Sequence, residues 1–228
     1  MLCRTVLFDL DGTLTDPKTG ITRCIQYALS ELGYQPPDAN ELLWCIGPPL
    51  KSSFSQLLQT SDDTLLEEAI SLYRSRFSTI GLCENSLYPQ IPETLKIIRA
   101  AGYQTFVATS KPQIYATRII EYFDLAPLFD GVYGSELDGN RSVKGDLISY
   151  IIERESLLHF SVVMVGDRSH DIIGAKKNNI ASIGVTYGYG SREELEAHKA
   201  DLIADYPDEI PTLVSCCAAR LYNRELGN

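Results

Sequence analysis

The chain lacks most of what would tie it to a membrane, a polymer or a soft metal. No apolar run approaches the roughly 18 residues of a membrane span. The run between Arg4 and Asp9 is four residues long, too short for a signal peptide. Positive charge is scarce: 20 Lys and Arg against 30 Asp and Glu leave a net charge of −10. That argues against a nucleic-acid polymer or an anionic membrane surface as partner, because both need a basic face. The six cysteines (Cys3, Cys24, Cys45, Cys83, Cys216 and Cys217) form no C-x-x-C pair and no zinc spacing. Reduced thiols in a cytoplasmic protein are therefore expected. No internal repeat or low-complexity tract is visible, and 228 residues suffice for a core domain with one smaller insertion.

What is there alternates between two textures. Thr5 to Phe8, Gln104 to Ala108, Val162 to Val165, Ala181 to Val185 and Leu202 to Ala204 are short apolar runs that read as buried strands, and Phe129 to Tyr133 is a weaker sixth. Between them, Pro92 to Ala101, Gln113 to Phe123, Lys144 to Arg154 and Ser169 to Asn178 carry apolar residues at helical spacing. Strand alternating with helix predicts an α/β fold with a doubly wound, Rossmann-like parallel sheet.

Residues 17–83 break the rhythm. Ile21, Ile25, Ala28, Leu29 and Leu32 form one helical stripe, Leu50, Phe54, Leu57 and Leu58 a second, and Leu65, Leu66, Ala69, Leu72, Tyr73 and Phe77 a third. The expected organisation is a core of residues 1–16 and 84–228, interrupted by a small helical cap. Trp44 sits in one of these patterns and reads as cap core.

Chemistry gathers at the strand ends. In "VLFDLDGTLTD", Asp9 follows directly on the apolar run and Asp11 lies two residues on. Side chains two apart on extended chain point the same way, about 6–7 Å apart. A turn at Asp11–Gly12 would account for Asp11 but not for Asp9. "FVATSK" ends its strand with Thr109, Ser110 and Lys111. "VVMVGDRSHD" ends its strand with Gly166 and Asp167, with Asp171 one helical turn later. Ligands of open parallel sheets bind beyond the carboxyl ends of the strands. Lys144, opening a predicted helix, can reach the same place.

Gathered carboxylates repel: two like charges 4 Å apart cost about 4 kcal/mol at an effective dielectric of 20. A hard divalent cation answers that. Mg²⁺ suits carboxylate and carbonyl oxygens and favours phosphate, whereas zinc would want the histidine or cysteine that is missing beside these acids. A pocket with Mg²⁺, a lysine, a threonine hydroxyl and backbone N–H groups is suited to holding phosphate.

The ordered set "DLDGT", "VATSK", Lys144 and "GDRSHD" resembles the motifs of the haloacid dehalogenase-like superfamily of aspartate-nucleophile phosphohydrolases. "FDLDGTLTD", "ATSKP" and "GVTYGYGS" are similar to its phosphoglycolate phosphatase and 5′-nucleotidase-like branch, and the resemblance extends over nearly the whole chain, cap included. It implies a phosphatase of small phosphate monoesters. Asp9 would be the nucleophile and Asp11 the general acid and base. Thr109 would bind the transferring phosphoryl group and Lys144 would offset charge on nucleophile and phosphate. Asp9, Asp167 and the Asp11 carbonyl would ligate Mg²⁺, supported directly or indirectly by Asp171. Gly12 and Ser110 would offer backbone N–H groups to phosphate. In "IGPPL", Gly47 reads by itself as a helix–helix turn; the resemblance implies a cap loop facing the substrate.

Asp11 argues against the dehalogenases of the superfamily, which lack that aspartate. Lys18 and Lys51 have no context that would make either the Schiff-base lysine of a phosphonatase. A sugar phosphomutase would share the same residues around the phosphoryl group. A receiver-like signalling module would share the acids, hydroxyl, lysine and Mg²⁺ but not the insertion. The expected partner is a small phosphorylated metabolite, with the protein a monomer or homodimer. His170 reads as an exposed histidine, and Arg168 as either a surface residue or half of an ion pair.

Overall fold

The computed structural model describes residues 5–225, with side chains described through residue 217; Cys3 lies outside the described residues. The chain divides into two compact units, one of Met1–Thr15 with Leu87–Asn228 and one of Asp16–Ser86.

In the first unit, strand β1 (Thr5–Phe8) is followed, after β2 (Thr15–Asp16) and the whole second unit, by β3 (Ser86–Leu87) and helix α4 (Ile91–Ala100). The helical unit contributes α1 (Lys18–Glu31), α2 (Leu50–Leu57) and α3 (Asp63–Arg76). The remainder alternates: β4 (Gln104–Pro112), α5 (Gln113–Tyr122), β5 (Gly131–Ser135), α6 (Lys144–Arg154), β6 (Val162–Gly166), α7 (Ser169–Lys177), β7 (Ala181–Val185), α8 (Arg192–Ala197), β8 (Leu202–Ala204) and α9 (Ile210–Glu225). The short strands β2 and β3 pair with each other where the chain leaves the first unit and returns to it.

Six strands form one sheet in the order β5-β4-β1-β6-β7-β8, and every pairing is parallel. The chain builds outward from β1 to β4 and β5, then crosses back to add β6 on the other flank. That reversal is the switch point at which such sheets bind ligands. Val6, Leu7 and Phe8 are fully buried, as a central strand covered on both faces requires. On one face Leu7, Phe106 and Met164 pack with Leu147, Ile148 and Ile151 of α6 and Ala175 of α7.

Register matters most for the site. Phe8 pairs with Val107 on one side and with Val165 on the other, so Asp9, Ala108 and Gly166 follow in line at the same sheet edge. Two elements differ from expectation. β4 runs on through Pro112, because Pro112 pairs with Ser135 across a register shift after Ala108. β5 begins at Gly131, since Phe129 ends a single helical turn and the Asp130 N–H is already given to the Thr105 carbonyl.

The helical unit buries part of each predicted stripe, while Leu32, Leu50, Leu57, Leu65 and Leu72 are only half-buried. Ile21, Ile25, Ala28 and Leu29 of α1, Phe54 of α2 and Leu66, Ala69 and Tyr73 of α3 are its core, with Phe54 edge-on to Tyr73 and Tyr73 stacked on Phe77. Trp44 is a correction: it is 38% exposed, because residues 39–45 form a tighter 3₁₀ turn that buries Leu42 and Cys45 instead. Among the described residues no helix is long and apolar enough to cross a membrane, and no disulfide joins Cys24, Cys45, Cys83, Cys216 and Cys217.

Candidate active site

Asp9 leaves β1 with its N–H donating to the Val165 carbonyl at 2.9 Å, which holds the backbone against β6 one residue beyond the strand. Its Oδ1 accepts the Leu10 N–H at 2.8 Å and Lys144 Nζ at 2.9 Å. The loop after it closes tightly, with Leu14 and Thr15 both donating to the Leu10 carbonyl. Gly12 turns that loop at φ +85°, and any Cβ there would lie 2.2 Å from Asp167 Oδ2. Both the backbone angle and the close approach therefore require glycine.

Asp167 comes from the end of β6 and is 1% exposed. One oxygen, Oδ2, accepts the Tyr189 N–H at 2.7 Å, whereas Oδ1 is buried with no hydrogen-bond partner among the described residues. The loop after β7 wraps this carboxylate so closely that a Cβ on Gly188 would fall 2.5 Å from the Asp167 Cβ. Tyr187 in the same loop donates its hydroxyl to the Thr13 carbonyl at 2.9 Å, joining the two loops around the acid.

Asp171 lies in the first turn of α7, where a carboxylate suits the helix N-terminus. Its Oδ2 accepts the Arg168 N–H at 3.1 Å, while Oδ1 meets Lys144 Nζ at 2.8 Å. Lys144 is the first residue of α6, an end of the helix that disfavours cations. Three acceptors outweigh that: Asp9, Asp171 and the Ala108 carbonyl, the last at 2.8 Å.

The electrostatics follow from burial. Desolvation pushes the Asp167 carboxyl well above the usual carboxylate range, and the charges of Asp171 and Asp9 add to it. Desolvation also lifts Asp171, to about 6, with Lys144 pulling the other way. Burial works against the Lys144 charge, but Asp171 and Asp9 together hold its pKa above the ordinary lysine value. Asp11 is raised by burial and lowered in part by Lys111, whose Nζ is 2.7 Å from Asp11 Oδ2.

Asp9, Asp167 and Asp171 each place a carboxylate oxygen within 4.8 Å of the others. With Asp11 they make four acids against Lys144 and Lys111, a surplus that one divalent cation would neutralise. Hard oxygen donors, with no thiolate or imidazole in the cluster among the described residues, and an orphaned buried Asp167 Oδ1 fit Mg²⁺.

Of the residues named from sequence, Asp9, Asp167, Asp171 and Lys144 thus share one cluster. Asp11 is buried and tied to Lys111, and Thr109 is buried on the extension of β4. The Ser110 carbonyl accepts the Ser135 hydroxyl at 2.8 Å, which secures that extension. Gly47 belongs to the helical unit and adopts φ +104° before α2. His170 is exposed, and Arg168 pairs with Glu194 at 3.2 Å, the ion-pair alternative of the two read from sequence.

Sequence reasoning missed two features: the grip of Lys111 on Asp11, and the 187–190 loop around Asp167. The first had a signal in the lysine two residues after Thr109. The second showed only as a glycine-rich phrase. A separate hollow of about 690 Å³ at the β5 edge, lined by Tyr133, Tyr150, Arg118, Arg141 and Arg154 among others, contains none of the clustered acids.

Comparisons with known proteins agree with this geometry. Residues 6–185 match the haloacid dehalogenase-like hydrolase family model. A 5′-nucleotidase of Pseudomonas aeruginosa is 46% identical over 87% of this chain and 92% of its own length. The tyrosine-protein kinase PtkA of Mycobacterium tuberculosis is 35% identical over 95% of this chain and 69% of its own. A phosphoglycolate phosphatase of Vibrio parahaemolyticus is 28% identical over 94% and 97%. Among solved structures, a predicted phosphatase from Clostridium acetobutylicum superposes with a TM-score of 0.89 at 42% identity, covering 94% of this chain and 99% of that one. The chain belongs to the haloacid dehalogenase-like hydrolases, as a phosphatase of phosphate monoesters.

Proposed function

We propose that the protein is a Mg²⁺-dependent phosphatase of small phosphorylated metabolites, of 5′-nucleotide or phosphoglycolate type, working through an aspartyl-phosphate at Asp9. The observation that carries this reading is the convergence of Asp9, Asp167 and Asp171 on one buried point, with Lys144 on the nucleophile's Oδ1.

Asp9 attacks phosphorus, the bond from phosphorus to the leaving oxygen breaks, and Asp11 gives that oxygen a proton. Water then attacks the aspartyl-phosphate, Asp11 takes its proton, and phosphate departs. Lys144 keeps the nucleophile oriented and offsets charge as the phosphoryl group arrives, with Thr109 as hydroxyl donor to it. Mg²⁺, held by Asp9, Asp167 and the Asp11 carbonyl with Asp171 behind them, would supply positive charge to the phosphoryl oxygens. The 5′-nucleotide preference draws on the Pseudomonas relative and the phosphoglycolate preference on the Vibrio relative. A reduced, cytoplasmic setting suits the unbridged cysteines.

The test is phosphate release from a panel of monoesters with and without EDTA, together with mass spectrometry of acid-quenched enzyme. Turnover with Mg²⁺ and a phosphoryl group on Asp9 are expected. Full activity in EDTA would remove the metal from the reading. Transfer of the phosphoryl group to a second sugar phosphate, rather than to water, would make the enzyme a phosphomutase. A phospho-aspartate that persists without turnover would make it a receiver-like module.

A further inference from the structure

We infer that Lys111 is a positioning residue for Asp11, dividing the two oxygens of that carboxylate between an anchor and a proton carrier. The inference rests on the phosphatase reading and adds a residue to it. Lys111 Nζ lies 2.7 Å from Asp11 Oδ2, and the two side chains are 6% and 10% exposed. The other oxygen of the same carboxylate, Oδ1, is buried and has no hydrogen-bond partner among the described residues.

A lone aspartate side chain exchanges its oxygens by rotation about its last torsion, which has a broad, two-fold profile. An ion pair on one oxygen lifts that equivalence. When the carboxyl carries a proton, the proton belongs on Oδ1, because the Lys111 N–H already occupies Oδ2. The leaving oxygen of the ester is then served by one defined atom.

The two active-site lysines divide the work. Lys144 uses Asp9, Asp171 and the Ala108 carbonyl, and so attends the nucleophile. Lys111 attends the acid. It sits on the irregular part of β4, where its own N–H points at Thr109 Oγ1 (3.3 Å) and the Ser110 carbonyl is fixed by Ser135. The segment that should position the phosphoryl group through Thr109 thus also positions the acid.

A positioned acid matters most when the leaving group is poor. The test compares kcat/KM for phenyl phosphate and p-nitrophenyl phosphate, which share a ring but differ in leaving-group basicity, in wild type, Lys111→Met, Lys111→Gln and Lys111→Arg. Circular dichroism establishes that each variant is folded. The Met and Gln variants are expected to lose at least about tenfold more on phenyl phosphate than on p-nitrophenyl phosphate, a share of the usual general-acid contribution. The Arg variant is expected to recover part of that difference. Equal losses on both esters, or no loss on either, would overturn the inference while leaving the phosphatase reading intact. A wild type that cleaves no monoester would instead overturn the phosphatase reading itself.

Discussion

The two units of this chain differ in whether they bury charge. In the sheet unit, Asp9, Asp11, Asp167, Asp171 and Lys144 are all buried. In the helical unit, no charged side chain among the described residues is buried to that degree, and the polar ones that are, Thr22 and Ser53, are neutral. Its principal ion-pair network is half-buried: Glu84 takes Arg76 and Arg23, each at 2.7 Å. Arg76 is the main cause of the lowered Glu84 pKa. Among the described residues, only the sheet unit therefore buries acids whose charge is penalised, Asp11, Asp167 and Asp171; outside that cluster its Glu194 and Asp205, like Glu84 of the helical unit, are acids whose charge is favoured. Stability that serves folding and stability surrendered to chemistry can be told apart on this basis.

The contrast can be broken most forcefully at Asp9. Asp9→Asn, which removes the proposed nucleophile, should lower turnover on the order of 10⁴-fold, with melting temperature unchanged or raised because a repelling charge has gone. Phosphate release and a melting curve measure both. A melting temperature that fell sharply would make the cluster structural.

Next is Asp167→Asn, which removes the carboxylate with the orphaned oxygen. Wild type should gain about 2.7 kcal/mol from Mg²⁺ at a hundredfold excess over Kd, and the variant little or nothing. Denaturant titration with and without the ion reads this directly.

A third experiment sharpens the contrast through pH. Asp171 is raised to about 6 and Asp167 well above the usual carboxylate range, so the folded protein binds protons that the unfolded chain has lost. Stability of the metal-stripped protein from this source is complete below the usual carboxylate range and is lost as pH rises through about 6. Glu84 runs the other way: its lowered pKa contributes stability above the usual glutamate range, lost as pH falls through the folded value. The Mg²⁺-induced rise in melting temperature should therefore be larger at about pH 7.5 than at about pH 5, since the ion replaces protons in the cluster.

The smallest effect is at Glu84 itself. Glu84→Gln should cost about 1 kcal/mol near neutral pH, for a partly exposed carboxylate with two arginine partners. The difference from wild type should shrink in acid. A loss that stayed constant with pH would assign the effect to packing.

Much of the fold was legible because local pattern and tertiary burial agree. Val6 to Phe8 can only be a central strand, and α6 begins and ends at Lys144 and Arg154, as its apolar spacing requires. Where local pattern competes with pairing across the sheet, the reading failed. β4 outran its apolar segment because Pro112 found Ser135, and Trp44 turned outward once a tighter turn buried Leu42 and Cys45.

The order of aspartates, threonine and lysine along the chain, and their places at strand ends and helix starts, are properties of the sequence alone. Hydrophobic period and turn chemistry are local, so they survive being read one residue at a time. Which partner each charge takes is not local. Lys111 on Asp11 and Lys144 on Asp9 and Asp171 depend on strand register and on a crossover that sets β6 beside β1. An ion pair between residues far apart in the chain forms only where the folded backbone brings them within reach, and that distance exists only in three dimensions.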